Sequence, residues 1–186
     1  MLISVAFGQA KNHQIRNPKI KSTITGFLKW YKSYESDTVK RTYHLIKGGY
    51  PDTTTQQRID KDGVEHYLDD FRKSGFVSEA YIDNFRHYFI AIDEDLKLRP
   101  IMKDLVKING MDTDFALQTF EPEEILDHID GSKIEKLTVI YNKAIVSLKI
   151  SRHIVLLFIL SKQRNNQWLI DYMGHDATDL NSFFRQ

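Results

Sequence analysis

The sequence predicts an α+β fold, a curved antiparallel sheet of four or more strands with N-terminal helices packed on its concave face. Two observations support this prediction. Segments of β-type residues separated by polar turns fill Lys133–Met173. The segments before them repeat apolar residues at helical spacing instead. The sequence contains no catalytic motif that would identify a reaction.

Residue type and period predict the first three strands. Ile134–Ile140 leads to a tight turn at Tyr141-Asn142, because Asn tolerates positive φ. Ala144–Ile150 alternates apolar and polar residues, which is typical of a half-buried strand. Ile154–Leu160 is an unbroken apolar run and predicts a central strand buried on both faces. A buried helix is the alternative there, but the run is short and polar turns flank it.

The fourth predicted strand follows a polar turn over residues 162–166. Strict alternation puts Trp168, Ile170 and Tyr172 on one face of this strand. It puts Asp171 and Met173 on the other face. The prediction is therefore that Asp171 points away from whatever the aromatic residues cover.

Helices are predicted for most of the first half of the chain. The first contains Ile24–Tyr34, with Ser22 or Thr23 as its N-cap. A weaker helical pattern covers Asp37–Ile46 and ends at Gly48-Gly49.

The next two helices have clearer boundaries. Val64–Phe71 follows a capping box formed by Asp62 and Glu65, and Gly75 suits the position after its end. Ser78 caps a longer helix with an apolar stripe from Tyr81 to Ile92. Residues 96–113 are ambiguous, a short edge strand is expected at Phe115–Phe120, and Pro122 opens a last short helix.

Composition limits the classes of function. The 186 residues are enough for one domain, and hydrophobic and charged fractions of 41% and 27% are typical of globular proteins. A net charge of +1 gives no field that would favour nucleic acid. The absence of cysteine excludes disulfides, thiolate catalysis and cysteine-based zinc sites. Aromatic residues make up 12%, which suits a pocket or an interface, or simply a well-packed core.

The N-terminus predicts export. Leu2–Phe7 is a short apolar run, and Gly8 and Ala10 match the small residues of a signal-peptidase site. We expect residues 1–10 to be the remnant of a signal peptide, residues 11–21 a flexible segment, and residues 22–186 the domain. A periplasmic or secreted location follows from this prediction. The alternative is an N-terminal strand or tail. No segment has the ~20 apolar residues that span a bilayer.

No cofactor or metal is predicted. Asp60–Gly63 resembles part of a calcium loop, but Arg58 occupies the position where such a loop requires a carboxylate. The seven histidines include no pair with metal-ligand spacing on one helix face. The sequence also lacks a phosphate-binding loop, a dinucleotide glycine pattern and a nucleophile elbow. One enzymatic hypothesis remains, in which buried Asp114 or Asp171 serves as an acid–base group in an apolar pocket.

Several segments together resemble an uncharacterised bacterial family of secreted proteins. They occur in the same order along the chain: Phe27–Tyr31, Gly75–Asn84, Asp114–Gln118, Glu121-Pro122, Lys143–Val146 and Gln167–Tyr172. The family has the cone-shaped, nuclear-transport-factor-2-like (cystatin-like) α+β fold and no assigned activity. The resemblance therefore implies fold and export, and no reaction.

If the family's pocket is used here, the resemblance together with the acid–base argument gives six candidate ligand-binding residues. They are Trp30, Tyr31, Asp114, Trp168, Asp171 and Tyr172. The favoured function is an exported, non-catalytic module that binds a protein partner or a small apolar ligand. Neutralising an exported toxin would be one form of this role, although no residue argues for it specifically. The alternative is a small-molecule enzyme with a single buried carboxylate.

Overall fold

The computed structural model describes residues 17–37, 43–49, 51, 54–101 and 108–175. The helices are α1 (Pro18–Ser36), α2 (Lys61–Lys73), α3 (Glu79–Leu98) and α4 (Glu123–Leu126). The strands are β1 (Ile46–Lys47), β2 (Arg58–Ile59), β3 (Lys133–Ile140), β4 (Lys143–Lys149), β5 (Val155–Lys162) and β6 (Trp168–His175). A single turn of 3-10 helix, Ile129–Gly131, precedes β3. The α+β class is therefore confirmed.

Strands β3 to β6 form an antiparallel meander in sequence order. The apolar run Ile154–Leu160 was predicted to be a strand, and its residues from Val155 onward do form strand β5. At the edge of the sheet, residues 76–78 pair in parallel with β6 through a single bridge between Val77 and Ile170. The Ser78 amide donates to the Ile170 carbonyl at 2.9 Å, and the Ile170 amide donates to the Phe76 carbonyl at 2.9 Å. This short pairing connects the start of α3 to the sheet.

Burial of the sheet is one-sided. Ala144, Val146 and Leu148 of β4 and Leu156 and Phe158 of β5 are fully buried. They share one core with the apolar faces of the three long helices. Of the alternate residues of β5, Val155, Leu157 and Ile159 are only half-buried, whereas Ser161 is buried. The prediction that β5 is buried on both faces is therefore wrong, because the described helices cover only the inner face.

A bulge in β6 changes the predicted alternation. Ile159 pairs with Tyr172 and Leu160 pairs with Ile170, so Asp171 is the extra residue. Beyond the bulge the phase of the strand is reversed. Met173 joins the core, whereas Tyr172 is 39% exposed on the outer face. The prediction that Tyr172 shares a face with Trp168 and Ile170 is therefore wrong.

Two helices start at residues other than those predicted. The helix α1 begins at Pro18, and the Asn17 side chain caps it by accepting a hydrogen bond from the Ile20 amide at 3.4 Å. Residues 18–21, expected in the flexible segment, are thus helical, and Ile20 lies in the core. Asp60, and not Asp62, is the N-cap residue of α2, although its side chain makes no capping hydrogen bond.

The predicted helix over Asp37–Ile46 does not continue to its end. Ile46 lies in β1 and pairs with Ile59 of β2. Residues 38–42 lie outside the described residues. The expected strand at Phe115–Phe120 is also absent, because Asp114–Thr119 folds into a turn closed by the Asp114 amide and the Thr119 carbonyl. The positive φ of the β3–β4 turn falls on Tyr141 (54°) instead of Asn142.

Two predictions about helix boundaries are confirmed. Ser78 caps α3 by accepting from the Tyr81 amide at 3.4 Å. Gly75, which follows α2, has a φ of +73°, a left-handed conformation that glycine adopts without strain.

Gly63 provides a test of how α2 packs on the segment that leads to β1. A Cβ at this position would overlap the backbone carbonyl oxygen of His44. We expect Gly63→Ala to lower the free energy of unfolding by about 1–3 kcal/mol, the usual cost of overpacking, although alanine favours helices. The free energy of unfolding of each variant is measured by chemical denaturation, with circular dichroism as the signal. Gly131→Ala is the matched control, because no atom lies within 4 Å of a Cβ there. Equal stability of the two variants would contradict this packing.

Candidate functional site

The six predicted site residues do not form one site. Trp30 and Tyr31 lie on α1, and Tyr31 contacts Asp114 directly. The other three predicted residues, Trp168, Asp171 and Tyr172, all lie on β6, where they occupy three different environments. Trp168 is in the core, Asp171 in a bulge and Tyr172 on the outer face.

Asp114 is held in a tight turn. Its carboxylate accepts a hydrogen bond from the Tyr31 hydroxyl at 2.7 Å and another from the Leu117 amide at 2.6 Å. A ring nitrogen of His175, at the end of β6, lies 2.9 Å from the Leu117 carbonyl oxygen. The turn is therefore fixed to both α1 and the sheet, and it holds the carboxylate against the core.

Burial raises the pKa of Asp114 above its usual range, and the negative charge of Glu35 adds to this effect. The hydrogen bonds from Leu117 and Tyr31 act in the opposite direction, because they stabilise the ionised form. Within the described part of the chain, no Lys or Arg forms an ion pair with Asp114. When Asp114 is ionised, its negative charge therefore has no cationic counterpart among the described residues.

Tyr31, whose hydroxyl contacts this carboxylate, belongs to a group of tyrosine rings packed around Phe71. The centroid of the Phe71 ring lies 5.8 Å from that of Tyr31, 4.9 Å from that of Tyr67 and 6.0 Å from that of Tyr81. Desolvation raises the pKa values of all three tyrosines, and the charge of Asp114 raises each of them further. The three hydroxyls thus lie within electrostatic range of one carboxylate. We name Asp114, Tyr31, Tyr67 and Tyr81 the tyrosine–aspartate cluster.

Two members of this cluster, Tyr67 and Tyr81, were missed by sequence analysis. Both fall on apolar helical stripes, where a tyrosine is indistinguishable from any other core residue. A signal was nevertheless present, because a buried tyrosine needs a hydrogen-bond partner for its hydroxyl. Trp30, which was predicted, is half-buried next to the cluster and stacks on Tyr34 with centroids 5.2 Å apart.

Asp171 has a different environment, in which every oxygen is paired. The hydroxyls of Ser78 and Ser161 donate to one carboxylate oxygen at 2.6 and 2.8 Å. The Lys143 ammonium group lies 2.8 Å from the other oxygen. These contacts compensate for the burial of the carboxylate at the bulge. They connect the start of α3 with strands β4, β5 and β6, which is a structural role.

The outer face of the sheet carries an apolar row. Strand register aligns Ile145 of β4 with Ile159 of β5, and Ile159 with Tyr172 of β6. Ile145 is 46% exposed and Tyr172 is 39% exposed. Ile140, in the neighbouring strand, is 57% exposed and belongs to the same face by alternation. We name Ile140, Ile145, Ile159 and Tyr172 the outer apolar row.

A groove of about 250 Å³ lies between α2, α3 and the end of β2. Its apolar wall is formed by Ile59, Val64, Phe89 and Ile90. The charged residues on its rim are largely paired, as in the Arg86–Glu65 contact of 2.7 Å. None of the predicted site residues lines this groove. It was missed because Ile90 falls off the predicted stripe of α3, and an isolated exposed isoleucine gives no clear signal.

Within the described ranges, no group of three or more His, Asp or Glu side chains is arranged to hold a metal ion. Among the same residues, no helix combines the length and apolar character that a membrane crossing requires. The predicted signal segment, residues 1–10, lies outside the described residues.

Comparisons with known proteins give no relative. No family model, no curated protein and no solved structure matches this sequence. The resemblance to the exported family therefore stays a prediction.

The raised pKa of Asp114 predicts a pH dependence of stability. A folded-state pKa above the unfolded value, near 3.9, means that the folded chain binds this proton more tightly. The resulting stability is complete below the unfolded pKa and is lost as pH rises through the folded pKa. We expect the free energy of unfolding of the wild type to fall, relative to Asp114→Asn, as pH rises from the unfolded pKa through the higher folded pKa. Urea denaturation at several pH values measures the difference.

Asp93 supplies a control of opposite sign. Hydrogen bonds from Arg58, at 2.7 and 2.6 Å, hold the pKa of the Asp93 carboxyl below its usual range. Relative to Asp93→Asn, the wild type should therefore gain stability as pH rises up to the unfolded pKa. If the stability difference between wild type and variant changed with pH in the same direction for Asp114→Asn and Asp93→Asn, the assignment of Asp114 as a carboxyl with a raised pKa would be contradicted.

Proposed function

We propose that this chain is an exported, non-catalytic binding protein that recognises a protein partner through the outer face of its sheet. The observation that carries this proposal is the outer apolar row. In adjacent antiparallel strands, side chains that face each other lie about 5 Å apart, so Ile145, Ile159 and Tyr172 are continuous. Ile140 faces Lys143 and is the diagonal neighbour of Ile145, at a typical separation of about 7–8 Å. Exposed apolar residues that are contiguous mark interaction surfaces much more often than isolated ones.

The surroundings of the row also suit a docking surface. On the outer face, Lys143 lies between Ile140 and Ser161. On the other side of Ile145, Lys136 faces Ser147 in the next row of the same face. An apolar centre with a polar rim is the usual anatomy of a protein interface. The next hairpin position, Tyr141, is 97% exposed and provides an aromatic group beside the row. Tyrosine is enriched at the energetic centres of interfaces.

The exported location rests on the N-terminal sequence pattern. The apolar run Leu2–Phe7, with Gly8 and Ala10 behind it, supports a secretory signal. In an exported protein without cysteine, stability depends on the core and not on disulfides. The large one-sided core meets that need while it leaves the outer face for a partner.

The second candidate function is an enzyme that uses Asp114 for acid–base chemistry on a small apolar substrate. One observation favours it, namely that burial raises the pKa of Asp114 among aromatic rings. A carboxylate made more basic is better suited to remove a proton near neutral pH. Asp171 is less suited to this role, because Ser78, Ser161 and Lys143 already bind both of its carboxylate oxygens.

The binding proposal is tested by Ile145→Lys. A charge in the centre of the outer apolar row should weaken capture of the partner at least tenfold, because the ammonium group must be desolvated on binding. The measurement is affinity capture from the native cell envelope with quantitative mass spectrometry. Titration of the purified partner then gives the dissociation constants of the wild type and the variant.

Ile90→Lys is the matched control. Ile90 is 47% exposed, close to the 46% of Ile145, but it lies on α3 at the groove. Both variants should keep the free energy of unfolding within about 0.5 kcal/mol of the wild type. If Ile90→Lys abolishes capture and Ile145→Lys does not, the docking surface is the groove and the proposal fails.

The enzymatic alternative is tested by hydrogen exchange at carbon. If Asp114 removes protons next to a carbonyl, the wild type should accelerate deuterium incorporation into cyclohexanone in D₂O, followed by NMR. Asp114→Asn should reduce this acceleration by about 10²-fold or more, the typical contribution of a general base. An unchanged rate in Asp114→Asn would exclude this use of the carboxylate.

A further inference from the structure

We propose that the tyrosine–aspartate cluster binds a small organic cation, a primary ammonium group carried on a compact apolar body. In this site Asp114 pairs with the cation, and the hydroxyls of Tyr67 and Tyr81 accept its remaining hydrogen bonds. The site lies inside the domain and is separate from the outer apolar row. The inference therefore goes beyond the proposed function and does not depend on it.

The first argument comes from two hydroxyls without partners. Tyr67 is 3% exposed and Tyr81 is 2% exposed, and neither hydroxyl makes a hydrogen bond to any described residue. A buried polar atom without a partner is costly, and such atoms are rare in folded proteins. Tyr31 shows the paired alternative in the same cluster, because its hydroxyl donates to Asp114. These two unpaired hydroxyls in one core therefore point to a polar ligand as their partner.

The second argument places both hydroxyls near Asp114. Phe115, the residue after Asp114, packs edge-on against the Tyr67 ring with centroids 6.2 Å apart. The Tyr81 ring lies 6.0 Å from Phe71, on which Tyr67 also packs. Burial is the main cause of the raised pKa of each tyrosine, and the charge of Asp114 adds to it in both cases. The three groups therefore line one small region of the core.

The third argument identifies the charge of the ligand. Asp93 has Arg58 and Asp171 has Lys143, but Asp114 has no cationic partner among the described residues. Glu35 increases the negative potential at this carboxylate. A cation would neutralise the charge, whereas an anion would be repelled. A neutral carbonyl compound would accept hydrogen bonds from the hydroxyls but would leave the buried carboxylate uncompensated.

The fourth argument concerns the number of hydrogen bonds. A primary ammonium group has three N–H donors and no acceptor. Asp114, Tyr67 and Tyr81 supply three acceptor oxygens, so each donor has one partner. The surrounding rings attract a cation through their negatively charged faces, an interaction used by aromatic cages for alkylammonium ligands. The apolar body of the ligand would then lie against the same rings.

The test compares charged probes with a neutral one of the same shape. We expect the wild type to bind methylammonium or benzylammonium in an NMR titration at millimolar concentration, and benzyl alcohol at least tenfold more weakly. Asp114→Asn should weaken ammonium binding at least tenfold. Tyr67→Phe and Tyr81→Phe should each weaken it about three- to tenfold, the effect of one lost hydrogen bond.

A second measurement needs no ligand. Since the Tyr67 hydroxyl has no partner among the described residues, Tyr67→Phe should raise the melting temperature by about 2–6 °C. Tyr31→Phe is the control and should lower it, because that hydroxyl is bonded to Asp114. The proposal is overturned if neither ammonium probe binds, if benzyl alcohol binds equally well, if Asp114→Asn binds normally, or if Tyr67→Phe is destabilised.

Discussion

The one-sided burial of the four-stranded sheet is the constraint on which the rest of the structure depends. Side chains of a strand alternate between faces, so helices on one face bury every second residue. Leu156, Phe158 and Leu160 are fully buried on the inner face, together with the stripes of α1, α2 and α3. The residues between them are only half-buried. A core built in this way leaves a second, partly apolar face that is only partly buried, at Ser147 and Ser161.

The bulge at Asp171 determines which side chains occupy each face. One extra residue in β6 reverses the alternation, which moves Tyr172 outward and Met173 inward. A buried carboxylate at this point would be unfavourable by itself. Ser78, Ser161 and Lys143 provide its hydrogen bonds and a counter-charge, and they belong to three different elements. The bulge thus completes the outer apolar row and also joins the sheet to the start of α3.

The sequence predicted the elements that local patterns determine. Strands β4 and β5 have clear alternation or apolar runs, and Ser78 and Gly75 mark helix boundaries through their own chemistry. Features that depend on distant residues were not predictable. The pairing of Ile46 with Ile59 and the register shift in β6 both require knowledge of the opposite strand. The tyrosine–aspartate cluster was predicted only in part, since Tyr31 and Asp114 were named but Tyr67 and Tyr81 were not.

The tyrosines of the cluster are not explained by packing alone. Phe71 and Phe89 fill the same core with equally large rings and no polar atom. Phenylalanine at positions 67 and 81 would keep nearly the same volume and would remove two hydroxyls that cost about 1–3 kcal/mol each when unpaired. A core optimised for stability would therefore contain phenylalanine at both positions. Local rules of stability are broken in proteins mainly where a site needs the polar group. The hydroxyls of Tyr67 and Tyr81 meet that description, and they share the core with Asp114, which has no cationic partner among the described residues.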